Sequence, residues 1–290
     1  MTRHAVMGVA LVALLGGSAA APQGSQPWSS VHTPAVPGEF VWHDLVTDNP
    51  SAARMFYGSL FGWTFEAGQG IDPGYTIIKH DGLPIGGIVP RPRSLDSAFI
   101  AQWLAYVVVP DVDVSVDVFT RQGGRVIRPP QDVRKGLRVA VVADPQGAPI
   151  GLASGGPRLD SRTPPGLHRW LWMDYVARDA AAALTFYSEA VGFRHEVSEA
   201  GEQFTYYVLQ TDRPRAGLFV SPWTRETSAW LPYVRVEDPT AMAAQAAKLG
   251  GTVAVPPRAA VRNASLAIIV DPTGAPLALQ KFPFEAGGER

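Results

Sequence analysis

The sequence predicts an α+β protein of four βαβββ half-units, arranged as two tandem copies of a cassette that holds two half-units each. Three observations carry this prediction. The chain matches itself, its apolar residues switch between strand and helix spacing in a fixed order, and Gly and Pro mark the breaks. Phe40 to Tyr57 lies over Trp170 to Tyr187 at an offset of 130, pairing Trp42 with Trp172, Asp44 with Asp174, Phe56-Tyr57 with Phe186-Tyr187 and Gly62 with Gly192. At an offset of 127, Trp103-Leu-Ala-Tyr-Val107 meets Trp230-Leu-Pro-Tyr-Val234, and Asp144-Pro-Gln-Gly-Ala-Pro149 meets Asp271-Pro-Thr-Gly-Ala-Pro276.

The elements follow in order. Val41 to Thr47 alternates as a strand. Asn49 then offers a helix N-cap, with Pro50 at the first helical position. Ala53, Phe56, Tyr57 and Leu60 recur at helical spacing, and Gly62 ends that helix. The second half-unit repeats the scheme, with a strand at Leu104 to Val109, Asp111 or Asp113 as cap, a helix to Gln122 and a stop at Gly123-Gly124. Short strands are expected at Tyr75 to Lys79, Leu83 to Val89, Val139 to Ala143 and Pro149 to Ala153. The excess of turn residues, 29 Gly and 26 Pro in 290, is the punctuation such a design needs.

Composition narrows the function. A formal net charge of −1 gives no basic footprint for nucleic acid, and the absence of Cys excludes disulfides, thiolate nucleophiles and thiolate metal sites. A basic start, an apolar run from Ala5 to Leu15 and a small-residue stretch with Ser18 and Ala20 form a secretory leader over 1–20, too short in its apolar run to span a bilayer. The expected layout is leader 1–20, flexible tether 21–37, first domain 38–155, linker 156–166, second domain 167–283 and tail 284–290. The mature protein is expected to be exported, periplasmic or secreted, with no membrane contact once the leader is cleaved. Walker loops, Gly-x-Ser-x-Gly elbows and His-Glu-x-x-His motifs are absent from the sequence.

These residues in this order, a capped helix ending in Phe-Tyr, then Leu-Phe-Gly-Trp, a Gly-Gly half-unit and a closing Asp-Pro-x-Gly strand, resemble the vicinal oxygen chelate superfamily. That group holds glyoxalases, bleomycin-resistance proteins and extradiol dioxygenases. The resemblance covers essentially the whole mature chain and implies two tandem glyoxalase/bleomycin-resistance-like domains, each with a curved sheet whose concave face forms a cavity. It also implies where metal-dependent members place their ligands. Those positions fall on Trp42, Gly86, Leu104 and Gly151 in the first cassette, and on Trp172, Ala216, Leu231 and Ala278 in the second. None of these side chains ligates a metal. Residues 101–155 and 229–283 contain no His, so a site drawing a His from each half-unit cannot be built.

Strand alternation places Trp42, Asp44 and Val46 on one face and Val41, His43 and Leu45 on the other. His43 matches Met173 and is expected to pack against its own helix. Asp44 and Asp174 are the candidate catalytic groups, because the resemblance places them on the concave face, where a carboxylate among indoles and phenols is partly desolvated and raised in pKa; the alternative is that each simply bonds a neighbouring backbone group or an Arg. Ligand-binding candidates are Trp42, Asp44, Tyr106, Trp172, Asp174 and Tyr233. Five Trp residues (Trp42, Trp103, Trp170, Trp172 and Trp230) open the half-units and offer indole walls, or else fill the sheet core. The basic loops Arg134 to Arg138 and Arg258 to Arg262 are expected to be solvated, the alternative being that they lean over the cavity toward an acidic group. The functional expectation is metal-free binding of a small apolar or aromatic molecule, with no cofactor. The competing expectation is a glyoxalase-like lyase or dioxygenase-type enzyme, with an atypical divalent-metal site or Asp acid–base catalysis. A homodimer stays open.

Overall fold

The computed structural model describes residues 35–68, 73–91, 100–134, 136–155, 165–200, 205–220, 228–259 and 262–282. The leader, the tail, most of the tether and most of the linker lie outside the described residues, as do Lys135 and the side chain of Arg134.

The first cassette runs β1 (Phe40–Thr47), α1 (Pro50–Phe61), β2 (Thr64–Ala67), β3 (Thr76–His80), β4 (Leu83–Pro90), β5 (Gln102–Val108), α2 (Val112–Arg121), β6 (Arg125–Arg134), β7 (Leu137–Ala143) and β8 (Pro149–Gly155). The second runs β9 (Trp170–Ala177), α3 (Ala180–Val191), β10 (Arg194–Ala200), β11 (Thr205–Gln210), β12 (Pro214–Val220), β13 (Ala229–Val236), α4 (Pro239–Lys248), β14 (Thr252–Val255), a short 3-10 turn at Arg262–Ala264, β15 (Leu266–Val270) and β16 (Pro276–Lys281). This is the βαβββ order repeated four times.

The helix signals act as read. Asn49 Oδ1 accepts from Ala52 N at 3.2 Å, and Gly62 stops α1 in the left-handed region at φ 71°. Of the two candidate caps for α2, Asp111 takes the position and accepts from Val114 N at 3.0 Å. The Asp of each Asp-Pro-x-Gly turn closes its own loop: Asp144 Oδ1 accepts from Gln146 N and Ala148 N, and Asp271 Oδ1 from Thr273 N and Ala275 N.

Each cassette forms one eight-stranded mixed sheet, ordered β2-β3-β4-β1-β5-β8-β7-β6 in the first and β10-β11-β12-β9-β13-β16-β15-β14 in the second. The half-units of one cassette join through the antiparallel pairs β1–β5 and β9–β13.

The apolar cores do not respect the cassette boundary. One core unites the second half-unit of the first cassette (Ala105, Val107, Phe119, Ile150) with the first half-unit of the second (Met173, Phe186, Tyr187, Leu218). The other unites Leu45, Phe56, Tyr57 and Ile88 with Val234, Ala246, Ile269 and Leu277. The helix-bearing faces of the two sheets are therefore packed on each other. Phe119 of α2 meets Phe186 of α3 edge to face at 4.8 Å.

His43 follows from this arrangement. Its ring stacks on Trp170 at 4.1 Å, and its Nε2 lies 3.3 Å from Met173 Sδ, so the two repeat-related residues touch across the join. Complete burial lowers its pKa to about 3, leaving the ring neutral at ordinary pH. Trp103, Trp170 and Trp230 belong to the same buried layer. Trp230 Nε1 donates to the Tyr187 hydroxyl at 2.9 Å, Trp103 Nε1 to that of Tyr57 at 3.2 Å, and Trp170 Nε1 to Ile85 O at 2.6 Å. Of the five opening-strand indoles, only Trp42 and Trp172 face the other side.

The join is also polar in part. Asp144 Oδ2, in the first cassette, accepts from the hydroxyls of Tyr175 at 2.5 Å and Tyr187 at 2.8 Å, both in the second. The reciprocal place holds Tyr57 beside Asp271. There the position matching Tyr175 is Leu45, which has no hydroxyl to give, so Asp271 lacks the second phenol that Asp144 has.

Candidate functional site

The face of each sheet that carries no α-helix gathers the candidate residues. In the first cassette, Trp42 is paired with Tyr106, and Asp44 with both Leu104 and Gly87; side chains directly opposed in a ladder share a face. Tyr106 is in turn opposite Gly151. In the second cassette Trp172 is opposite Tyr233, Asp174 is opposite Leu231 and Gly217, and Tyr233 is opposite Ala278. Every ligand-binding candidate thus reaches one of two helix-free faces, called cups below.

Two expected positions are corrected. Gly86 and Ala216 do not face the cups; the register puts Gly87 and Gly217 there, one residue on. The backbone of Gly86 instead lies under His43, whose carbonyl oxygen would be 2.3 Å from a Cβ at that position.

The buried carboxylates hold each cup together. Asp44 Oδ1 accepts from Trp42 Nε1 at 2.8 Å and from the Tyr75 hydroxyl at 2.7 Å. Asp174 Oδ1 accepts from Trp172 Nε1 at 2.9 Å and from the Tyr206 hydroxyl at 2.6 Å, while Oδ2 accepts from the Tyr233 hydroxyl at 2.5 Å. Burial raises both carboxyl pKa values. At Asp44 the donors Tyr75, Trp42 and Tyr106 oppose that rise, with a smaller contribution from the charge of Arg128. At Asp174 the charge of Arg262 is the largest opposing effect, ahead of the tyrosines.

Tyr75 and Tyr206 were not among the residues selected from sequence. Their access depends on a glycine. A Cβ on Gly87 would sit 1.9 Å from the Tyr75 hydroxyl oxygen and 2.6 Å from Asp44 Oδ1, and one on Gly217 would sit 1.9 Å from the Tyr206 hydroxyl oxygen and 2.2 Å from Asp174 Oδ1. The signal was present: Gly87 and Gly217 match at the same offset of 130 that pairs Asp44 with Asp174.

The cups differ in filling. In the second, Val176, Phe219, Leu231, Tyr233, Leu266 and Ile268 form a buried apolar cluster over the sheet. Arg262 closes over it, with its guanidinium carbon 5.1 Å from the Tyr206 ring centroid and Nη2 3.8 Å from Asp174 Oδ2. Of the two basic loops, the second brings its Arg262 inward. In the first cup Trp42, Val46, Val89, Tyr106 and Val139 are only half-buried, and Arg138 turns outward to exposed Asp113 and Asp132.

A divalent metal does not fit these donors. Among the described residues each cup offers one carboxylate, whose Oδ1 already takes two hydrogen bonds, and glycine stands where the neighbouring strand would supply a ligand. Among the described residues no three His, Asp or Glu side chains come together as a metal-holding group. Among the same residues no helix is long and apolar enough to cross a membrane.

Comparison with known proteins agrees with the fold. No family model matches the chain. A Mycobacterium tuberculosis protein named "Putative glyoxylase CFP32" is 31% identical over 240 residues, covering 81% of this chain and 91% of its own length. The anthracycline biosynthesis protein DnrV of Streptomyces peucetius is 28% identical over 274 residues, covering 87% and 98%. Among solved structures, the Mn(II)-bound glyoxalase of Novosphingobium aromaticivorans has a TM-score of 0.59 at 13% identity, covering 86% of this chain and 83% of its own. The 2,2',3-trihydroxybiphenyl 1,2-dioxygenase of Sphingomonas wittichii strain RW1 has a TM-score of 0.57 at 12% identity, covering 85% and 91%. With its self-matching sequence, its paired βαβββ sheets and these relatives, the chain belongs to the vicinal oxygen chelate superfamily, as a member with two tandem domains.

Proposed function

We propose that this protein is an exported small-molecule binder that works without a metal, and that the first cup is its principal binding face. The observation that carries the reading is the half-buried wall of Trp42 and Tyr106 around the buried Asp44. Flat apolar surface with a few fixed polar groups suits a small apolar or aromatic molecule. One relative is named for the biosynthesis of anthracyclines, which accords with an aromatic ligand. In this reading Trp42 and Tyr106 contact the ligand and Asp44, with its indole and phenol donors, anchors the polar end; Trp172, Asp174 and Tyr233 are the matching set.

Native mass spectrometry of the secreted or periplasmic protein tests this directly. Retained small molecule without metal supports the reading, and stoichiometric divalent metal overturns it. The same spectrum reports whether the chain is a homodimer.

One observation favours a second reading. A buried carboxyl with a raised pKa is suited to proton transfer, so Asp44 or Asp174 could serve an acid–base enzyme of the lyase or dioxygenase-like type. Should a turnover be found, Asp44→Asn and Asp174→Asn are the tests, and unchanged rates in both would remove this reading.

A further inference from the structure

We propose that the second cup is a site for an organic cation that the protein keeps filled with its own Arg262, and that a ligand bearing an ammonium or guanidinium group on an apolar body enters by displacing that side chain. This rests on the reading of the cups as small-molecule sites and adds the charge of the ligand.

The chemistry of the cage points to a cation. The Arg262 guanidinium lies over two phenol faces, 5.1 Å from the Tyr206 centroid and 5.7 Å from that of Tyr233, with the Asp174 carboxylate beyond them. Aromatic faces around a positive charge, backed by a carboxylate, form a recognition device for organic cations. The tyrosine hydroxyls both donate to the carboxylate, and the two ring faces lie toward the guanidinium.

The present occupant does not reach the carboxylate directly. Its Nη2 stays 3.8 Å from Asp174 Oδ2, about an ångström longer than a direct charge-assisted hydrogen bond. It also donates from Nη1 to Gln280 Oε1 at 3.1 Å and bonds the Tyr206 side chain, and its own side chain is 26% exposed.

Its backbone is also strained. Arg262, Asn263 and Ala264 have φ of 46°, 52° and 58°, three successive non-glycine residues in the left-handed region. Ser265 N and Oγ donate to Arg262 O, and Gln280 Nε2 donates to Ser265 O, so the turn is tied to β16 rather than stabilised by its own conformation. An incoming cation replaces the guanidinium over the two ring faces, and release of the side chain permits that strain to relax.

The test compares benzyltrimethylammonium with its neutral isostere neopentylbenzene, titrated against the full chain and its R262A and R262K forms, with Trp fluorescence as readout. R262A is expected to bind the ammonium at least tenfold more tightly than the unaltered protein does, and at least tenfold more tightly than it binds the isostere. R262K, which keeps a cation in the cup, stays within about threefold of the unaltered protein. Equal affinity of R262A for both compounds overturns the charge inference and leaves apolar binding standing. An ammonium affinity that R262A does not change overturns the role of Arg262 as occupant. Absence of binding by either compound to all three proteins overturns both readings for this cup. In the unaltered protein, saturating ammonium is expected to shift the Arg262 Nε–H resonance; an unmoved resonance counts against displacement without reliance on any variant.

Discussion

The two cassettes are alike on one face and different on the other. On the helix face each supplies half of two cores, with Tyr57 matched to Tyr187 and Trp103 to Trp230. On the helix-free face the same Trp-Asp-Tyr-Tyr set is set in half-buried surroundings in one cassette and in an apolar cluster under Arg262 in the other. Packing explains the contrast. A face buried against its own repeat must change on both sides at once to stay filled, whereas a face turned to solvent is free to diverge.

The largest effect expected of that contrast comes from separating the cassettes. Residues 35–155 alone would leave one side of both cores exposed, and are expected to show no cooperative denaturant transition. A cooperative transition in that fragment would mean that each cassette carries its own core.

Next in size are Gly217→Ala and Gly87→Ala, each of which drives a methyl into a Tyr–Asp hydrogen bond. Each is expected to destabilise by about 3 kcal/mol, combining overpacking with a carboxylate that loses a donor. The second cup should suffer more, since Asp174 is fully buried and Asp44 is 5% exposed. Equal losses in urea unfolding would argue that the cups are energetically alike.

Tyr175→Phe removes the donor to Asp144 that has no counterpart at Leu45, and is expected to cost about 1.5 kcal/mol by urea unfolding. An unchanged stability would contradict the asymmetry traced to Leu45 and Tyr175.

The smallest effect is in pH dependence. Asp44 and Asp174 have folded pKa values above the unfolded value of 3.8, so between those limits the folded state binds more protons. Stability therefore falls as pH rises from 3.8 through the folded pKa, and is regained on acidification across the same window. Asp44→Asn should flatten that slope. Arg262→Ala should steepen it, because the charge that most opposes the rise at Asp174 is gone; an unchanged slope would show that Arg262 has little electrostatic hold on the carboxylate.

Much of this was legible in the sequence because the repeat supplied its own control. The capped helices, their Gly stops and the pairing of Asp44 with Asp174 depend on local chemistry, and local chemistry is written in adjacent residues. The misplacement of Gly86 for Gly87 is a different kind of error. A one-residue shift in a strand moves a side chain to the opposite face, and only the ladder fixes it. The contacts of His43 and Trp103 with the second cassette were beyond reach for another reason, since nothing in one cassette announces that its helix face will meet the other. Arg262 was the harder case: its approach to Asp174 depends on three left-handed residues in Arg-Asn-Ala, a run with no glycine to signal them.

The shared cores also set a timetable for folding. Leu45 and Tyr57 gain the second-cassette half of their core only when β15 and β16 exist, at the far end of the chain. During synthesis at the usual rates of about 5–20 residues per second, the first cassette waits on the order of ten seconds with its apolar face uncovered. Contacts so distant in sequence make for slow closure. A nascent chain of this protein is therefore one that stays sticky until it is almost finished, and one on which a chaperone has a long opportunity to act.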